Sequence, residues 1–219
     1  MLGDAPVVVF DFDGTLVNRD SLFDFSVRYC LKRPARLLLL AAVLPWAGLR
    51  ALRSPEAALS VLLWAMTLGA STRSLVRELR RYGREVLPSY ANEVIFGELT
   101  RHVRAGDHVL IATGSVPLLV RALFTARGLP WLPIAGTRLR RKWGGLIAET
   151  HCTGETKVRE LRRRFGIHHW SAVYTNSFAD CPLMRDTSDI TLVGPSPRTL
   201  QRTRRLVGRD TALRVMPAR

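Results

Sequence analysis

Cysteine is scarce in this sequence of 219 residues. The three cysteines have no CxxC spacing: they are Cys30, Cys152 and Cys181. The sequence therefore predicts neither a disulfide scaffold nor a zinc site. The five histidines show no HExxH spacing, so no metal site through histidine is expected. A basic stretch and a small-residue cleavage site are both lacking before the apolar run at residues 7–10, and we expect no cleavable signal.

Negative charge is also in short supply, because 33 lysines and arginines face only 18 aspartates and glutamates. The formal net charge of +15 predicts anionic partners such as nucleic acid, phospholipid headgroups or phosphorylated metabolites. Only three of the cations are lysines, and arginine suits bidentate contacts with phosphate. The arginines are dispersed, however, without a basic stripe interleaved with aromatics, so we expect no nucleic-acid partner.

Short apolar runs alternate with helical patterns over much of the chain. The apolar runs lie at residues 6–10, 108–112, 131–135, 172–174 and 190–193. Helices are predicted at residues 117–126, 156–165, 182–186 and 197–206. This alternation predicts an α/β fold, a mostly parallel sheet with helices on both faces. We expect no strand between residues 21 and 104. The prediction is thus an α/β core from residues 1–20 and 105–219, with residues 21–104 as an inserted helical cap.

The predicted cap contains the most apolar stretches of the chain, residues 37–49 and 57–70. Each is shorter than the ~20 residues that a spanning helix needs, so neither is predicted to be a simple membrane span. Their basic flanks are typical of a peripheral or re-entrant element on anionic lipid. The alternative is a soluble cap that buries these faces internally. After them, residues 71–86 predict an amphipathic helix, and residues 135–149 predict a small hairpin.

Two carboxylates follow the first predicted strand, in the run Asp11-Phe12-Asp13-Gly14-Thr15. At a strand end, both can face the crevice in which open parallel sheets bind ligands. One carboxylate can then attack phosphorus while the other handles the proton of the leaving group. A calcium loop is disfavoured, because no further acidic residues follow at EF-hand spacing.

Further polar residues stand where such a site needs them. Thr113 and Gly114 end the second long strand with a hydroxyl and backbone N–H groups ahead of a helix, which suits a phosphate. Lys157 opens a later helix, and its ammonium can neutralise a phosphoryl group. Asn176 and Asp180 follow another strand. Each has an ordinary structural explanation when taken alone, but their order and their placement at strand ends favour a single site.

These motifs resemble, in order, those of the haloacid dehalogenase superfamily of phosphotransferases, subfamily IB, the phosphoserine-phosphatase-like branch with a C1-type cap. Stretches such as DFDGTLVNRDSLFDF, IATGSVPLLV and YTNSFADCPLM are most similar to the bacterial phosphatidylglycerophosphatase C family. The resemblance implies a Rossmann-like core and a phosphatase in which Asp11 forms an aspartyl-phosphate and Asp13 is the general acid and base. It also implies a set that binds the phosphoryl group, namely Gly14, Thr113, Gly114 and Lys157.

The resemblance further implies a Mg²⁺ cofactor, with ligands from Asp11, Asp13, Asn176 and Asp180. The family has aspartate where this chain has Asn176, whose amide oxygen can bind a cation but brings no charge. Two interpretations stay open: a working enzyme, or a catalytically impaired pseudophosphatase that binds lipid. We favour the enzyme, because Asp11, Asp13, Thr113 and Lys157 are all present.

The implied substrate is a phosphomonoester, and the leucine- and tryptophan-rich cap favours a lipid headgroup such as that of phosphatidylglycerophosphate. A small metabolite of the phosphoserine type is the alternative. We expect the protein on the cytoplasmic face of a bacterial inner membrane, peripheral or re-entrant on an anionic surface, or alternatively in the cytoplasm. No obligate protein partner is inferred.

Overall fold

A computed structural model describes residues 5–185, 187–208 and 211–218 of the chain. A six-stranded parallel sheet with strand order β3-β2-β1-β6-β7-β8 forms its centre, and β4 and β5 form a separate antiparallel hairpin. The strands are β1 (Val7–Phe10), β2 (His108–Thr113), β3 (Ile134–Gly136), β4 (Arg138–Lys142), β5 (Gly145–Thr150), β6 (Ala172–Thr175), β7 (Asp189–Val193) and β8 (Ala212–Met216). The predicted α/β fold class is confirmed.

Helices cover the sheet on both faces. They are α1 (Ser21–Leu31), α2 (Pro34–Ala51), α3 (Pro55–Thr67), α4 (Thr72–Glu85), α5 (Glu93–Ala105), α6 (Pro117–Ala126), α7 (Glu155–Phe165), α8 (Cys181–Met184) and α9 (Pro197–Leu206). Side chains alternate along β1, so Val8 and Phe10 belong to a core that includes α5 and α6. Val9 belongs to a second core that includes α7. This burial on both faces explains why the strands are runs of apolar residues rather than alternating patterns.

Several elements differ from their predicted bounds. The third strand begins at Ile134 rather than at residue 131, since Pro133 cannot donate a ladder hydrogen bond and contributes only its carbonyl, to Ile111 N–H. The helix predicted at 182–186 is α8, which ends at Met184, and residue 186 lies outside the described residues. The edge strand β8 was not predicted, because its short run contains Arg214 and its side chains are mostly exposed.

The helices between β1 and β2 form a layered arrangement. Helix α2 packs on α3, α3 on the β4–β5 hairpin, and α4 on α6. A Cβ on Gly83 of α4 would lie 2.5 Å from the Cβ of Ala122, so α4 approaches α6 closely. Helix α5 reaches the sheet, where Nε2 of His102 lies 3.0 Å from the Tyr174 hydroxyl. The division of the chain into core and cap at residues 20 and 104 stays a prediction.

Helix α2 is longer than the apolar run predicted, and it continues through Pro45. By length and composition this 18-residue helix is long enough and apolar enough to cross a membrane. Ala47 is its single buried residue. A surface helix normally buries one apolar stripe, so the apolar side chains of α2 are unusually exposed.

The strand order places a crevice at the centre of the sheet. β1 pairs with β2 on one side and with β6 on the other, so the chain runs outward in opposite directions from β1. In open parallel sheets, ligands bind beyond the carboxyl ends of the strands at such a switch point. The residues that follow β1, β2 and β6 are those of the predicted site.

Candidate active site

Asp11 and Asp13 lie just beyond the end of β1, at the switch point. The N–H of Asp11 donates to the Tyr174 carbonyl at 2.8 Å, so pairing with β6 extends to the first aspartate. At Gly14 the chain turns with a φ of +77°, and a Cβ there would lie 2.0 Å from Nδ2 of Asn176. Glycine is therefore required both by the backbone and by the close approach of the asparagine.

Lys157 joins two buried carboxylates. Its Nζ lies 2.7 Å from Oδ1 of Asp11 and 2.7 Å from Oδ1 of Asp180, and none of the three side chains is more than 7% exposed. The second carboxylate oxygens are also held: Thr15 Oγ1 donates to Asp11 at 3.3 Å, and Thr175 Oγ1 donates to Asp180 at 2.7 Å. These bonds fix the direction in which each carboxylate faces the crevice.

Asp13 is held between the start of α1 and the end of β2. Its Oδ1 accepts the N–H of Ser21 at 2.7 Å, and its Oδ2 accepts the hydroxyl of Thr113 at 3.3 Å. Thr113 Oγ1 in turn accepts the N–H of Ser115 at 2.9 Å, and the hydroxyls of Ser21 and Ser115 are 2.8 Å apart. Thr113, predicted to bind a phosphoryl oxygen, thus contacts the carboxyl of Asp13 in this structure.

Sequence reasoning missed some of these polar partners. Ser115 stands two residues after Thr113 in the same hydroxyl-bearing run, and this spacing was a usable signal. Ser21 gave none, because its contact with Asp13 depends on α1 starting beside the strand end. Thr175 ends a buried strand, where a hydroxyl needs a partner, but the identity of that partner is set by the fold.

Burial of these groups has an electrostatic consequence. Removal from water raises the pKa of Asp11 to about 7, against the opposing effect of Lys157, and raises the pKa of Asp13 to about 6. Burial also favours a neutral lysine, but the carboxylates of Asp11 and Asp180 outweigh it and raise the pKa of Lys157. With all groups ionised, three carboxylates and one ammonium leave a net charge of −2 that calls for a cation.

The donor set fits Mg²⁺, although the described residues contain no group of three or more His, Cys, Asp and Glu side chains arranged to hold a metal. Mg²⁺ is commonly bound through one or two carboxylates together with waters and substrate phosphate. Asp11 offers a carboxylate, Asn176 an amide oxygen and Asp13 a backbone carbonyl. All three residues follow the carboxyl ends of the neighbouring strands β1 and β6. A divalent cation would also balance the charge of −2.

All the predicted site residues except Thr113 line one pocket of about 860 Å³, and Thr113 contacts it through Asp13. The lining residues from the predicted set are Asp11, Asp13, Gly14, Gly114, Lys157, Asn176 and Asp180. The structure therefore brings together residues that are up to 169 positions apart in the chain. Their individual catalytic roles stay predictions.

The far wall of this pocket is apolar and comes from α1, α2 and α3. Its apolar side chains are Leu22, Phe23, Val27, Leu31, Leu37, Leu40, Leu44, Leu59, Leu62, Leu63 and Met66. Polar groups line the same pocket, among them Asn18, Arg19 and Asp20. Oδ1 of Asn18 is buried and has no hydrogen-bond partner in the described structure. The pocket thus combines charged groups at the strand ends, further polar side chains and a hydrophobic wall.

Carboxylates and a buried lysine lie together at the switch point of a doubly wound parallel sheet, where α/β proteins bind their ligands. The chain belongs to the haloacid dehalogenase-like hydrolase family, whose family model matches residues 8–185. This membership confirms the predicted enzyme class, a hydrolase of the haloacid dehalogenase family.

Solved structures share the fold across nearly the whole chain. A protein of unknown function from Bordetella pertussis Tohama I is 21% identical, with a TM-score of 0.72 over 97% of this chain and 98% of that one. A phosphoserine phosphohydrolase-like protein from Francisella tularensis is 15% identical, with a TM-score of 0.63 over 94% and 95%. A phosphoserine phosphatase in its apo form is 15% identical, with a TM-score of 0.57 over 97% and 94%. The fold is therefore that of phosphoserine phosphatase-like proteins.

Proposed function

We propose that this protein is a Mg²⁺-dependent phosphomonoester hydrolase whose substrate carries an apolar tail, as in a phospholipid such as phosphatidylglycerophosphate. The observation that carries the proposal is the continuity of one pocket from the carboxylates at β1 to the leucines of α2 and α3. A phosphate bound near Asp11 leaves most of the 860 Å³ for the alcohol part of the substrate. The wall that would face this part is hydrophobic.

The chemistry proposed for the charged groups at the strand ends proceeds in two displacements. A carboxylate oxygen of Asp11 attacks phosphorus and forms an acyl phosphate, while the bond from phosphorus to the substrate oxygen breaks. The carboxyl of Asp13 gives its proton to the departing alkoxide. Asp13 then takes a proton from a water molecule, whose oxygen attacks the same phosphorus and releases inorganic phosphate and free Asp11. Asp11, Asp13 and Asn176 would hold Mg²⁺, which would supply charge neutralisation at the phosphoryl oxygens.

Lys157 orients the nucleophile for this reaction, and the residues that follow β2 bind the phosphate. Lys157 has its ammonium between two carboxylates, so it orients Asp11 and places positive charge beside the incoming phosphate. Gly114 and Ser115 line the pocket at the start of α6, where backbone N–H groups attract an anion. The short bond from Ser21 N–H keeps Asp13 fixed relative to Asp11.

The competing substrate class is a small charged metabolite such as phosphoserine. Arg19 and Asp20 favour it, since both line the pocket and have the charges needed to bind a carboxylate and an ammonium. Both are already engaged, however: Asp20 caps α1 through Phe23 N–H at 2.9 Å, and Arg19 lies over the Tyr90 ring. A small charged substrate has no apolar part to bury against the hydrophobic wall, so we favour the lipid.

A lipid substrate also accounts for the exposed surface of α2. Leu38 and Leu49 of α2 are 74% and 51% exposed, and Leu52, just after its end, is 84% exposed, while other leucines of α2 line the pocket. Arg50 lies between Leu49 and Leu52 in the sequence, and Arg53 follows Leu52 directly. We propose that α2 lies on an anionic membrane, peripherally or as a re-entrant element, at the cytoplasmic face of a bacterial inner membrane.

A phosphate-release assay with a graded set of substrates tests the function. The set is phosphatidylglycerophosphate, phosphatidic and lysophosphatidic acids of long and short chains, phosphoserine and an aryl phosphate, each with Mg²⁺ and with Asp11→Asn as the inactive control. We expect kcat/KM to rise with chain length. Preference for phosphoserine would overturn the lipid assignment. No release from any substrate would favour the pseudophosphatase.

Variants of the wall refine this test. Leu37→Ser and Leu44→Ser alter side chains that line the pocket and are partly exposed, so we expect lower kcat/KM for long-chain substrates and unchanged rates for short ones. Val94→Ser is the matched control, because this residue of α5 is also exposed but lies neither in the pocket nor on the proposed membrane surface.

A further inference from the structure

The turn of the β4–β5 hairpin carries an exposed tryptophan in an unfavourable backbone conformation. Lys142 pairs with Gly145, so the loop consists of Trp143 and Gly144 alone. Their φ angles are +46° and +78°, as in a type I′ turn, whose preferred sequence is Asn-Gly. In the described part of the chain, Trp143 is the one residue other than glycine with positive φ, which bulky side chains rarely adopt. Its presence points to a role other than folding.

The backbone of this turn is fixed to helix α3. Nε1 of Trp64 donates to the carbonyl of Trp143 at 3.0 Å, and the N–H of Gly69 donates to the carbonyl of Gly144 at 3.0 Å. A Cβ on Gly145 would lie 2.6 Å from the Trp64 ring, so hairpin and helix are in direct contact. The indole of Trp143, 78% exposed, is therefore presented from a firmly held position.

The turn and helix α2 meet at the same end of α3. Arg36, in the first turns of α2, donates Nη1 to the Leu68 carbonyl at 3.1 Å, while a Cβ on Gly144 would lie 3.3 Å from the Leu68 side chain. The start of α2 and the turn that carries the exposed tryptophan are thus both held at Leu68, directly after α3.

The surroundings of the tryptophan are basic. Four of the five residues of β4, with sequence RLRRK, are cations, and Nζ of Lys142 lies 4.2 Å from the centre of the Trp143 ring. Tryptophan is enriched where membranes meet water, because its ring is apolar and its N–H needs a polar partner. Lysine and arginine nearby are attracted to anionic headgroups.

We propose that the hairpin turn, through Trp143 with Arg140 and Lys142 of β4, docks on an anionic lipid bilayer as a second membrane contact besides α2. The indole lies at the level of the headgroups, and Arg140 and Lys142, which share one face of β4, face the lipid phosphates. Arg141 instead donates to the carbonyls of Ala70 and Gly144. This inference rests on the lipid substrate of the proposed function. Two contacts from different parts of the chain hold the cap in one orientation on the membrane.

The substitution Trp143→Asn tests the proposal, because Asn-Gly is the preferred loop and the variant should fold at least as stably as the wild type. Partition of the full chain onto vesicles is measured by flotation, with phosphatidylglycerol and phosphatidylcholine mixed or with phosphatidylcholine alone. We expect roughly tenfold weaker partition of Trp143→Asn onto the anionic vesicles, as for the loss of one buried large side chain.

Trp131→Asn is the matched control. Trp131 is 71% exposed and also has a cation over its ring, from Arg121 at 5.1 Å, but it lies outside the hairpin. We expect its replacement to leave partition unchanged. Equal partition of Trp143→Asn and wild type, or an equal loss for both variants, would overturn the proposal.

A short-chain soluble phosphomonoester separates docking from the proposed function. If Trp143→Asn partitions weakly but hydrolyses this substrate at the wild-type rate, the docking surface is supported. If the wild type hydrolyses no lipid while Trp143→Asn still partitions more weakly, the proposed substrate fails and the docking surface stands. If long-chain lipids are hydrolysed but partition does not depend on Trp143, the docking proposal alone fails.

Discussion

At the scale of single residues, the site is a balance of buried charges in which Asn176 is the unusual member. A Cβ at position 14 would lie 2.0 Å from Nδ2 of Asn176, so the amide lies directly against the loop that carries both aspartates. An amide keeps a ligand oxygen at this place but leaves the charge of the site less negative than an aspartate would. Metal affinity is the property that this difference should change.

Asn176→Asp is therefore expected to bind Mg²⁺ more tightly, with a half-saturating concentration lower by roughly tenfold, since ligand charge is a main determinant of affinity for hard cations. The Mg²⁺ dependence of phosphate release and direct calorimetric titration of Mg²⁺ are the two measurements. Asn18→Asp makes the same chemical change elsewhere in the pocket and should shift the titration much less. An unchanged titration for Asn176→Asp would mean that this side chain is not a ligand.

Lys157 should contribute to stability as well as to the site. Its removal in Lys157→Met leaves the carboxylates of Asp11 and Asp180 buried without their cation, and breaking such a pair costs about 3–5 kcal/mol. Urea unfolding at neutral pH without Mg²⁺ measures the loss. Lys32→Met, at an exposed lysine, should change the unfolding free energy by less than about 0.5 kcal/mol. A similarly small change for Lys157→Met would contradict the assigned ion pairs.

At the scale of elements, a hydrogen-bonded carboxylate links α1 to α4. Asp24 Oδ2 accepts the Tyr82 hydroxyl at 2.7 Å and Arg28 Nε at 2.7 Å, and Arg19 lies 3.8 Å from its other oxygen. Partial burial opposes ionisation, but the bonds from Tyr82 and Arg28 prevail and lower the pKa of Asp24 below its usual 3.8. A carboxyl with a lowered folded-state pKa stabilises the fold above its unfolded pKa, and this contribution disappears as pH falls through the folded value.

Tyr82→Phe should consequently reduce the unfolding free energy by about 1 kcal/mol at pH 7. The reduction should begin to shrink as pH falls below about 4, the unfolded pKa of aspartate, and should disappear below the lowered folded pKa of Asp24, where the wild-type carboxyl is protonated as well. Chemical denaturation at several pH values measures both. Tyr29→Phe, a buried tyrosine on α1, serves as control for loss of a hydroxyl. A pH-independent difference for Tyr82→Phe would show that Asp24 is not involved.

The elements also indicate what the sequence can reveal about the fold. Helices α6 and α9 begin and end as predicted, because Pro117 and Pro197 start them and the apolar periodicity is local information. The roles of Asp11 and Asp13 as site residues were predictable, because residues that follow neighbouring parallel strands lie close together at the carboxyl edge of the sheet. The contact of Ser21 with Asp13, the conformation of Trp143 and the edge strand β8 were not, since each depends on neighbours distant in sequence.

At the scale of the whole molecule, the distribution of apolar surface and charge is what sets this chain apart from a simple soluble enzyme. A formal charge of +15 accompanies a helix, α2, whose leucines lie largely in the open. Isolated exposed apolar residues are ordinary on protein surfaces, but a larger contiguous patch marks an interaction site. Other leucines of the same helix line the pocket, so binding to a membrane and access of a lipid to the carboxylates would occur on one element.

Replacement of Leu38, Leu49 and Leu52 together by serine should therefore release the protein from anionic vesicles in flotation. The matched control replaces the exposed Val94 and Val215, which lie outside the apolar stretches of the cap, and should not release it. Each lost leucine removes apolar area that burial would stabilise by roughly 1–2 kcal/mol, and the remaining cations contribute ~1 kcal/mol each near an anionic surface. Higher salt should weaken binding of the wild type without abolishing it, because salt screens the attraction between the cations and the anionic lipids but not the burial of apolar area. Recovery of wild type and both variants in the soluble fraction at every salt concentration would instead support a cap that packs on itself, with the lipid reaching the pocket from solution.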